Sequence, residues 1–169
     1  MQLNELLIEL FGRITEHVHD AVEGLDPEVL VTPPAEGANP IGWLVWHLTR
    51  VQDDHIADIL GEDQLWVSGD WAGRFGVAGD PHNTGYGHSW SDVQTIRPES
   101  ANALIEYYEA VAARTTELLQ RTTADDLDRI IDRNWDPPVT LGARLVSIAD
   151  DDIQHAGQAA YARGLLDPH

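Results

Sequence analysis

The chain has 169 residues, no cysteine and a formal net charge of −19, from 29 acidic and 10 basic residues. This length suits one domain with a full core, so we expect a single domain over residues 1–169. The lack of cysteine excludes disulfides, thiolate metal sites and a protein thiol nucleophile. A field of this sign repels phosphate backbones and anionic lipids, so we expect neither nucleic acid nor a membrane surface as a partner.

The amino-terminal sequence MQLNELLIELFGRITEHVHD has neither a basic leader nor a continuous apolar run, which argues against a signal peptide. No stretch is apolar for long enough to cross a membrane. Together with the lack of cysteine, these features favour a cytoplasmic protein.

Two predicted helices lie in the first part of the chain. Residues 2–24 repeat apolar side chains at helical spacing, which predicts an amphipathic helix. The second helix lies in ANPIGWLVWHLTRVQDDHIADIL. We expect Asn39 to be its N-cap, Pro40 to occupy its first turn and Gly61 to end it.

The other two predicted helices lie in the second half. The third runs from Pro98 to about Gln120, and its inward residues are Leu104, Tyr108, Val111, Thr115 and Leu118. The fourth begins after Thr140, whose hydroxyl can cap it, and ends near Gly164. Four long amphipathic helices with little strand signal predict an all-α fold, an antiparallel four-helix bundle.

The connection over residues 61–97 differs from the other two, which cover residues 25–38 and 121–139. It holds tryptophans, seven glycines and two histidines without a sustained period. A compact domain rarely carries so long an irregular segment unless it covers a site, and the aromatic residues argue against disorder. We interpret it as a lid or pocket wall, with a structural Ω-type loop as the alternative.

The fourth predicted helix carries two ligand-type side chains in SIADDDIQHAGQAAYARGLL. On a helical wheel His155 falls at the edge of a broad apolar arc, and Asp151 lies four residues earlier, just outside the same edge. Side chains at this spacing are neighbours on one face and can share a cation. Gln158 continues the same line. The predicted apolar arc consists of Leu141, Leu145, Ile148, Ala149, Ala156, Ala159 and Ala160.

The second predicted helix repeats this arrangement. His47 lies at the edge of its apolar arc, flanked on the outer side by Trp43, Arg50 and Asp54. Three nitrogen and oxygen ligands suit Zn²⁺, with Ni²⁺ or Fe²⁺ as alternatives, and leave a position for water or substrate. Spacing alone also fits ordinary hydrogen-bonded histidines. The candidate metal ligands are His47, Asp151 and His155.

The neighbouring Asp152 leaves the identity of the carboxylate ligand open. The wheel puts Asp152 inside the apolar arc, where a charge needs a partner. It is either the ligand in place of Asp151 or the buried structural partner of His55, which lies mid-arc on the second helix.

Two phrases, WHLTRVQDDHI on the second helix and DDDIQHAGQAAYARG on the fourth, resemble the DinB-like superfamily, and within it the branch grouped with mycothiol-dependent enzymes. The resemblance covers essentially the whole chain, including the four-helix plan and the long connection. Members typically carry one histidine on the second helix and a His-x₃-His-x-Gly-Gln run on the fourth, which together bind a divalent metal. By this match His47 corresponds to the first ligand and His155 to the last.

Asp151 stands where the first histidine of that run is usual. The related mycothiol-dependent maleylpyruvate isomerases carry a glutamate at this place, so a carboxylate ligand fits the resemblance. In HAGQ, the resemblance implies that Gly157 allows close helix approach and that Gln158 supports a ligand.

The resemblance implies a thiol S-transferase or thiol-dependent isomerase that uses a low-molecular-weight thiol such as mycothiol. A metal with an open position can stabilise the thiolate at neutral pH, which suits a protein without cysteine. Arg50 and Asp54 are the predicted catalytic residues, and Trp43, Gln158 and Arg163 are predicted to contribute to thiol binding. The alternative for the two arginines is an ordinary helix surface with an ion pair.

The tryptophans Trp43, Trp66, Trp71 and Trp90 are candidates for a pocket wall, with core packing as the alternative. Two further functions stay open, a metal-dependent hydrolase and a non-catalytic stress-related binding protein with a vestigial metal site. A requirement for added thiol separates the transferase from the hydrolase. We expect a small-molecule substrate and a thiol as partners, and a small bundle of this kind can form a homodimer.

Overall fold

The computed structural model describes residues 1–167 and contains the four predicted long helices, joined by shorter elements. The helices are α1 (Leu3–Val22), α2 (Pro27–Val31), α3 (Ile41–Leu60), α4 (Leu65–Ser68), α5 (Trp71–Arg74), α6 (Trp90–Val93), α7 (Ala101–Arg121) and α8 (Leu141–Leu166). A 3₁₀ turn (Asp125–Asp128) precedes two short antiparallel strands, β1 (Ile130–Asp132) and β2 (Val139–Thr140). The all-α prediction is confirmed.

Two of the predicted helix boundaries are confirmed. The Thr140 hydroxyl accepts a hydrogen bond from the Ala143 amide at 3.2 Å and so caps α8. Gly61 ends α3 in the left-handed conformation, with φ of 67°. The N-cap prediction for Asn39 is wrong, because Pro40 occupies that position and α3 has no side-chain cap.

The third and fourth helices are displaced slightly from their predicted ends. The helix α7 starts three residues after Pro98, because the Ser100 hydroxyl caps it by accepting from the Ala103 amide. The helix α8 runs through Gly164 to Leu166. The predicted inward residues of the third helix are all buried. Ala160, which was placed in the apolar arc of the fourth, is exposed.

The helices α1 and α7 run in opposite directions, as do α3 and α8. Asn4 in the first turn of α1 donates a hydrogen bond to the carbonyl of Gln120 at the end of α7. His55, in the second half of α3, contacts Arg144 at the start of α8, with 3.1 Å between the two nitrogens. The ligand-type residues of α3 and α8 therefore come together near the middle of an antiparallel pair.

The helices α3 and α7, by contrast, run in the same direction. Gly42 at the start of α3 lies so close to Pro98, just before α7, that a Cβ at Gly42 would approach the proline ring to 2.8 Å. Glu62, just beyond the end of α3, accepts a hydrogen bond from Arg114 in the second half of α7. The bundle therefore contains a parallel pair beside its antiparallel ones.

This parallel pair accounts for the long connection. A chain leaving the end of α3 must return along the bundle before α7 can begin, and a helix of 20 residues is about 30 Å long. Residues 61–100, which we call the crossover, make this return and include α4, α5 and α6. Every residue from Ile41 to Arg50 is buried, because the crossover covers the side of α3 that the bundle leaves free.

None of the helices in residues 1–167 combines the length and the low polarity needed to cross a membrane.

Candidate metal centre

The three predicted ligands meet in the groove between α3 and α8. One ligand atom each from His47, Asp151 and His155 lies within 4.8 Å of the other two. The His155 Nε2 is 3.6 Å from the Asp151 Oδ1, and the two imidazole centroids are 4.8 Å apart at an interplanar angle of 75°. His47 is buried, whereas the other two side chains are partly exposed. The group is thus open to solvent on the α8 side.

Both imidazoles are held through their Nδ1 atoms. The Nδ1 of His47 lies 2.5 Å from the Thr84 carbonyl oxygen, and the Nδ1 of His155 lies 2.8 Å from the Gln158 Oε1. Both partners are acceptors, which favours the tautomer with the proton on Nδ1 and the lone pair on Nε2. Metal-binding histidines commonly have such a partner on the other ring nitrogen. The predicted supporting role of Gln158 agrees with this contact.

The electrostatics of the group also suit a cation. The Asp151 Oδ2 is buried and has no hydrogen-bond partner in the described residues, although buried carboxylate oxygens normally have one. Burial is the main cause that lowers the pKa of His47, against the opposing effects of the Thr84 carbonyl and Asp151. This shift favours the neutral imidazole, the form of histidine that binds a metal ion. Two imidazole nitrogens and one carboxylate oxygen match an open Zn²⁺ site.

Asp152 lies in the core and outside the ligand group. It is fully buried, and neither of its carboxylate oxygens has a hydrogen-bond partner in the described residues. Burial, followed by the charge of Asp151, raises its pKa well above the ordinary value. The predicted pairing with His55 is wrong, because His55 contacts Arg144 instead. The geometry therefore favours Asp151 as the carboxylate ligand.

The crossover reaches the ligand group at Gly85, where the backbone has φ of 93°. A Cβ at this position would lie 2.7 Å from the His47 Nδ1 and about as close to two tryptophans, at 3.0 Å from Trp46 and 3.1 Å from Trp43. Only glycine combines this conformation with this approach. Gly85 thereby lets the preceding carbonyl, that of Thr84, reach the histidine.

Trp43 supports His47 from the side of α3. The indole stacks on the imidazole with 4.7 Å between centroids and an interplanar angle of 15°. Its Nε1 donates to the His88 Nδ1 at 3.2 Å, and the other nitrogen of His88 contacts the Asn83 Oδ1 at 2.8 Å. Trp43 is buried. Its position is that of a residue which orients a ligand, and contact with a thiol stays a prediction.

Arg50 lies in a buried polar network, away from any open surface. Its nitrogens donate to the carbonyls of Asn83 and Pro81, at 3.1 and 3.0 Å, and to the Gln64 Oε1 at 2.7 Å. A further donor contacts the Tyr107 hydroxyl. These contacts fasten the crossover to α3 and give Arg50 a structural role, and the predicted catalytic role of Arg50 stays a prediction.

Asp53 is the anionic partner of Arg50. Its two oxygens accept from the amides of Leu65 and Trp66, at 2.9 and 2.8 Å, and one also accepts from the Tyr107 hydroxyl at 2.8 Å. The side chains of Asp53 and Arg50 are both fully buried, with 3.5 Å between Nη1 and Oδ2. The charges are thus compensated within the protein.

The structure does not bring Asp54 or Arg163 to the ligand group. Asp54 lies two turns after His47, and its Oδ1 accepts from the Gln64 Nε2 at 2.6 Å. Arg163 donates to the carbonyl of Asp20 at 2.7 Å and so ties α8 to the end of α1. Neither contact tests a role in catalysis or thiol binding, and both roles stay predictions.

The other three tryptophans that were candidates for a pocket wall occupy three different environments, none of them at the ligand group. Trp66 is fully buried in the core, Trp71 packs on Tyr107 with 5.3 Å between centroids, and Trp90 is exposed on α6. Of the four tryptophans predicted as candidates for a pocket wall, only Trp43 contacts the ligand group.

Sequence reasoning missed Thr84, Gly85, Asn83 and His88, which lie in the crossover and contact α3 directly. The stretch HNTGYGH did contain a signal, because closely spaced glycines mark a backbone that approaches other groups. This stretch has no helical period, so the sequence pattern could not predict which residues of α3 it contacts.

Comparisons with known proteins agree with this architecture. The family model of the DinB superfamily matches residues 10–159. No curated protein matches the chain. A solved structure, the conserved protein of a locus from Enterococcus faecalis, is 30% identical and superposes with a TM-score of 0.89 over 98% of both chains. The chain therefore belongs to the DinB superfamily.

Proposed function

We propose that the protein is a divalent-metal-dependent enzyme that transfers or uses a low-molecular-weight thiol, as a thiol S-transferase or a thiol-dependent isomerase. The observation that carries this proposal is the convergence of His47, Asp151 and His155, with each imidazole held at Nδ1 and its Nε2 free. Zn²⁺ is the proposed metal, with Ni²⁺ or Fe²⁺ as alternatives.

A divalent ion held by these side chains would stabilise a thiolate at neutral pH. The chain has no cysteine of its own, so the sulfur nucleophile must come from a cosubstrate. A cytoplasmic location, where small thiols stay reduced, is part of the proposal.

The residues around the group have separate tasks in this proposal. Thr84 and Gln158 fix the two imidazoles in the tautomer that binds metal. Trp43 and the crossover exclude water from the α3 side, which leaves approach from the α8 side. In the transferase reaction, the sulfur forms a bond to an electrophilic carbon, the leaving group departs with its electron pair, and the thiol proton passes to solvent.

The first test is the metal content. Protein prepared without chelator is expected to contain about one divalent ion per chain by elemental analysis. His47→Ala and His155→Ala variants should lose it. His17→Ala, an exposed histidine on α1, is the matched control and should retain it. Wild-type protein that binds no added Zn²⁺, Ni²⁺ or Fe²⁺ would contradict the proposal.

The second test separates the transferase from a hydrolase. With 1-chloro-2,4-dinitrobenzene as electrophile, product formation should require both the metal and an added thiol, and chloride should be released in equal amount. Turnover of ester substrates by the metal-loaded protein without thiol would favour the hydrolase instead. Metal binding without either activity would favour a binding protein.

A further inference from the structure

An apolar cleft lies between α3 and α8, beside the group of His47, Asp151 and His155. This cleft has a volume of about 280 Å³ and is lined by Pro34, Ala35, Ala38, Asn39, Leu44, Gln158, Tyr161, Ala162 and Leu165. Residues 34–39 form one wall, the start of α3 the floor and the last turns of α8 the other wall.

The cleft begins one helical turn from the metal ligands on both helices. Leu44 precedes His47 by three residues, and Gln158 follows His155 by three, so the antiparallel pair places both on the same side of the metal group. Three residues of helix rise about 4.5 Å. Gln158 belongs to both features, since its Oε1 contacts His155 while its side chain lines the cleft.

The chemistry of the walls differs sharply from that of the protein as a whole. The chain carries 29 acidic residues, yet none of the nine lining residues is charged. Six of the nine are alanine, leucine or proline, and Asn39, Gln158 and Tyr161 supply the polar groups. A ligand that binds here gains by burying apolar surface and has no charged side chain to pair with.

We propose that this cleft binds the uncharged, apolar part of the electrophilic substrate, whose reactive carbon then faces the metal group. This inference rests on the proposed function and adds the substrate class to it. A sugar-containing thiol such as mycothiol suits these walls poorly, because six of the nine lining side chains offer its many hydroxyl groups no hydrogen-bond partner. The thiol must then approach from the exposed side of Asp151 and His155.

The dimensions favour a small molecule over a second copy of the chain. A volume of about 280 Å³ approaches the range of small-molecule pockets, roughly 300–1,000 Å³. A standard protein interface needs roughly 800 Å² from each partner, far more than nine residues around a cleft offer.

Alkylthiols test the cleft and the metal group in one molecule, because an alkyl chain has no hydroxyl groups to desolvate and can enter the cleft while its sulfur binds the metal. With the Co²⁺-loaded protein, sulfur coordination is read from the sulfur-to-cobalt charge-transfer absorption, using 2-mercaptoethanol, 1-butanethiol and 1-hexanethiol. If the alkyl chain enters the cleft, the Kd should fall about fourfold per added methylene, the factor that corresponds to about 0.8 kcal/mol.

Variants on opposite walls provide the specific test. Ala38→Phe and Ala162→Phe fill the cleft from the connecting segment and from α8, so either should remove the dependence on chain length while 2-mercaptoethanol still binds. Ala160→Phe, on the exposed side of α8, is the matched control and should bind like wild type. Because the two variants change opposite walls, the test still works if one of them fails to fold.

The outcomes distinguish this inference from the function on which it rests. Equal affinity for all three thiols would overturn the apolar subsite and leave the thiol chemistry intact. No absorption with any thiol would overturn the proposed function and the substrate assignment with it. Saturable fluorescence of the neutral dye N-phenyl-1-naphthylamine, lost in both cleft variants, would then show a binding cleft without that chemistry. A wild-type dimer that Ala38→Phe dissociates would assign the cleft to a second copy and overturn the inference.

Discussion

Two polar clusters lie within one turn of each other on α3. They differ in burial and in whether their charged groups are paired within the protein. The Arg50–Asp53 cluster is fully buried, and the donors and acceptors described above are paired within the protein. The cluster of His47, Asp151 and His155 is partly exposed, and one carboxylate oxygen has no partner in the described residues.

The difference separates a structural role from a ligand-binding role. A buried ion pair whose hydrogen bonds are complete destabilises the protein when one partner is removed, and it has no group left for a ligand. A carboxylate oxygen without a partner, beside two imidazoles, is available to a cation. Perturbing the first cluster should therefore lower stability, and perturbing the second should lower metal affinity.

The largest expected effect comes from breaking the structural cluster. Asp53→Ala leaves Arg50 buried without its counter-charge and frees two amides of α4, so the free energy of unfolding should fall by about 3–5 kcal/mol. Urea denaturation of the metal-free protein measures this. Asp54→Ala removes the neighbouring, partly exposed carboxylate and serves as the control, with a much smaller loss. Similar losses in the two variants would refute the distinction between the clusters.

Metal binding should stabilise the protein only through the second cluster. At a free Zn²⁺ concentration of 100 times the Kd, the free energy of unfolding should rise by about 2.7 kcal/mol. Thermal unfolding with and without a metal buffer measures this. Asp151→Asn should abolish the gain with little change in the metal-free protein. If this variant is stabilised as much as wild type, Zn²⁺ binds elsewhere.

A third prediction concerns the contact between the crossover and the metal ligand. Gly85→Ala puts a methyl group against the His47 Nδ1 and should disturb the Thr84 contact, so metal affinity should fall by about 10–100-fold. Gly87→Ala is a close control, because Gly87 also has a positive φ, of 73°, but nothing within 4 Å of its Cβ position. Titration of both variants with Zn²⁺ against a chromophoric chelator measures the difference. Equal losses would mean that backbone strain, and not the contact, sets the affinity.

The smallest expected effect is a pH dependence from Asp152. At a pH of about 3, well below the ordinary pKa of an aspartate, its carboxyl is protonated in the folded and the unfolded chain alike. As the pH rises the unfolded chain ionises first, because burial raises the pKa in the folded state, and the free energy of unfolding falls. Asp152→Asn should therefore stabilise the metal-free protein at pH 7, by about 1 kcal/mol, and leave it nearly unchanged at a pH of about 3.

Chemical denaturation at the two pH values checks this, with the exposed Asp150→Asn as control. A gain of the same size at both pH values would place its origin in packing and not in ionisation.

The helices were predictable from local periodicity, and the ligand group from that periodicity together with the resemblance to the DinB-like superfamily. Asp151 and His155 share a face of α8 by their spacing alone, and the wheel put His47 at an edge of its helix. The N-cap of α3 was not predictable in the same way, because Asn39 and Pro40 are both compatible with a helix start.

A helical wheel did not predict the buried contacts of Arg50. A wheel gives the face of the helix on which a residue lies, but it does not show which other segment covers that face. Arg50 and Trp43 face outward from the four-helix core, which normally means solvent. The crossover covers them only because α3 and α7 are parallel, and helix directions are a property of the whole chain. Thr84 and Gly85 were missed for the same reason.

The path of the crossover leaves one of its positions open to substitution. Its first turn is fixed by Asp53, and a later part is fixed where the Arg97 amide donates to the Phe75 carbonyl at 2.9 Å. Within the part that contacts α3, Tyr86 is 93% exposed, one residue after the glycine that touches His47. Varying Tyr86 alone leaves the contacts on both sides of it in place, so a protein engineer can change this position while the scaffold keeps its own stability.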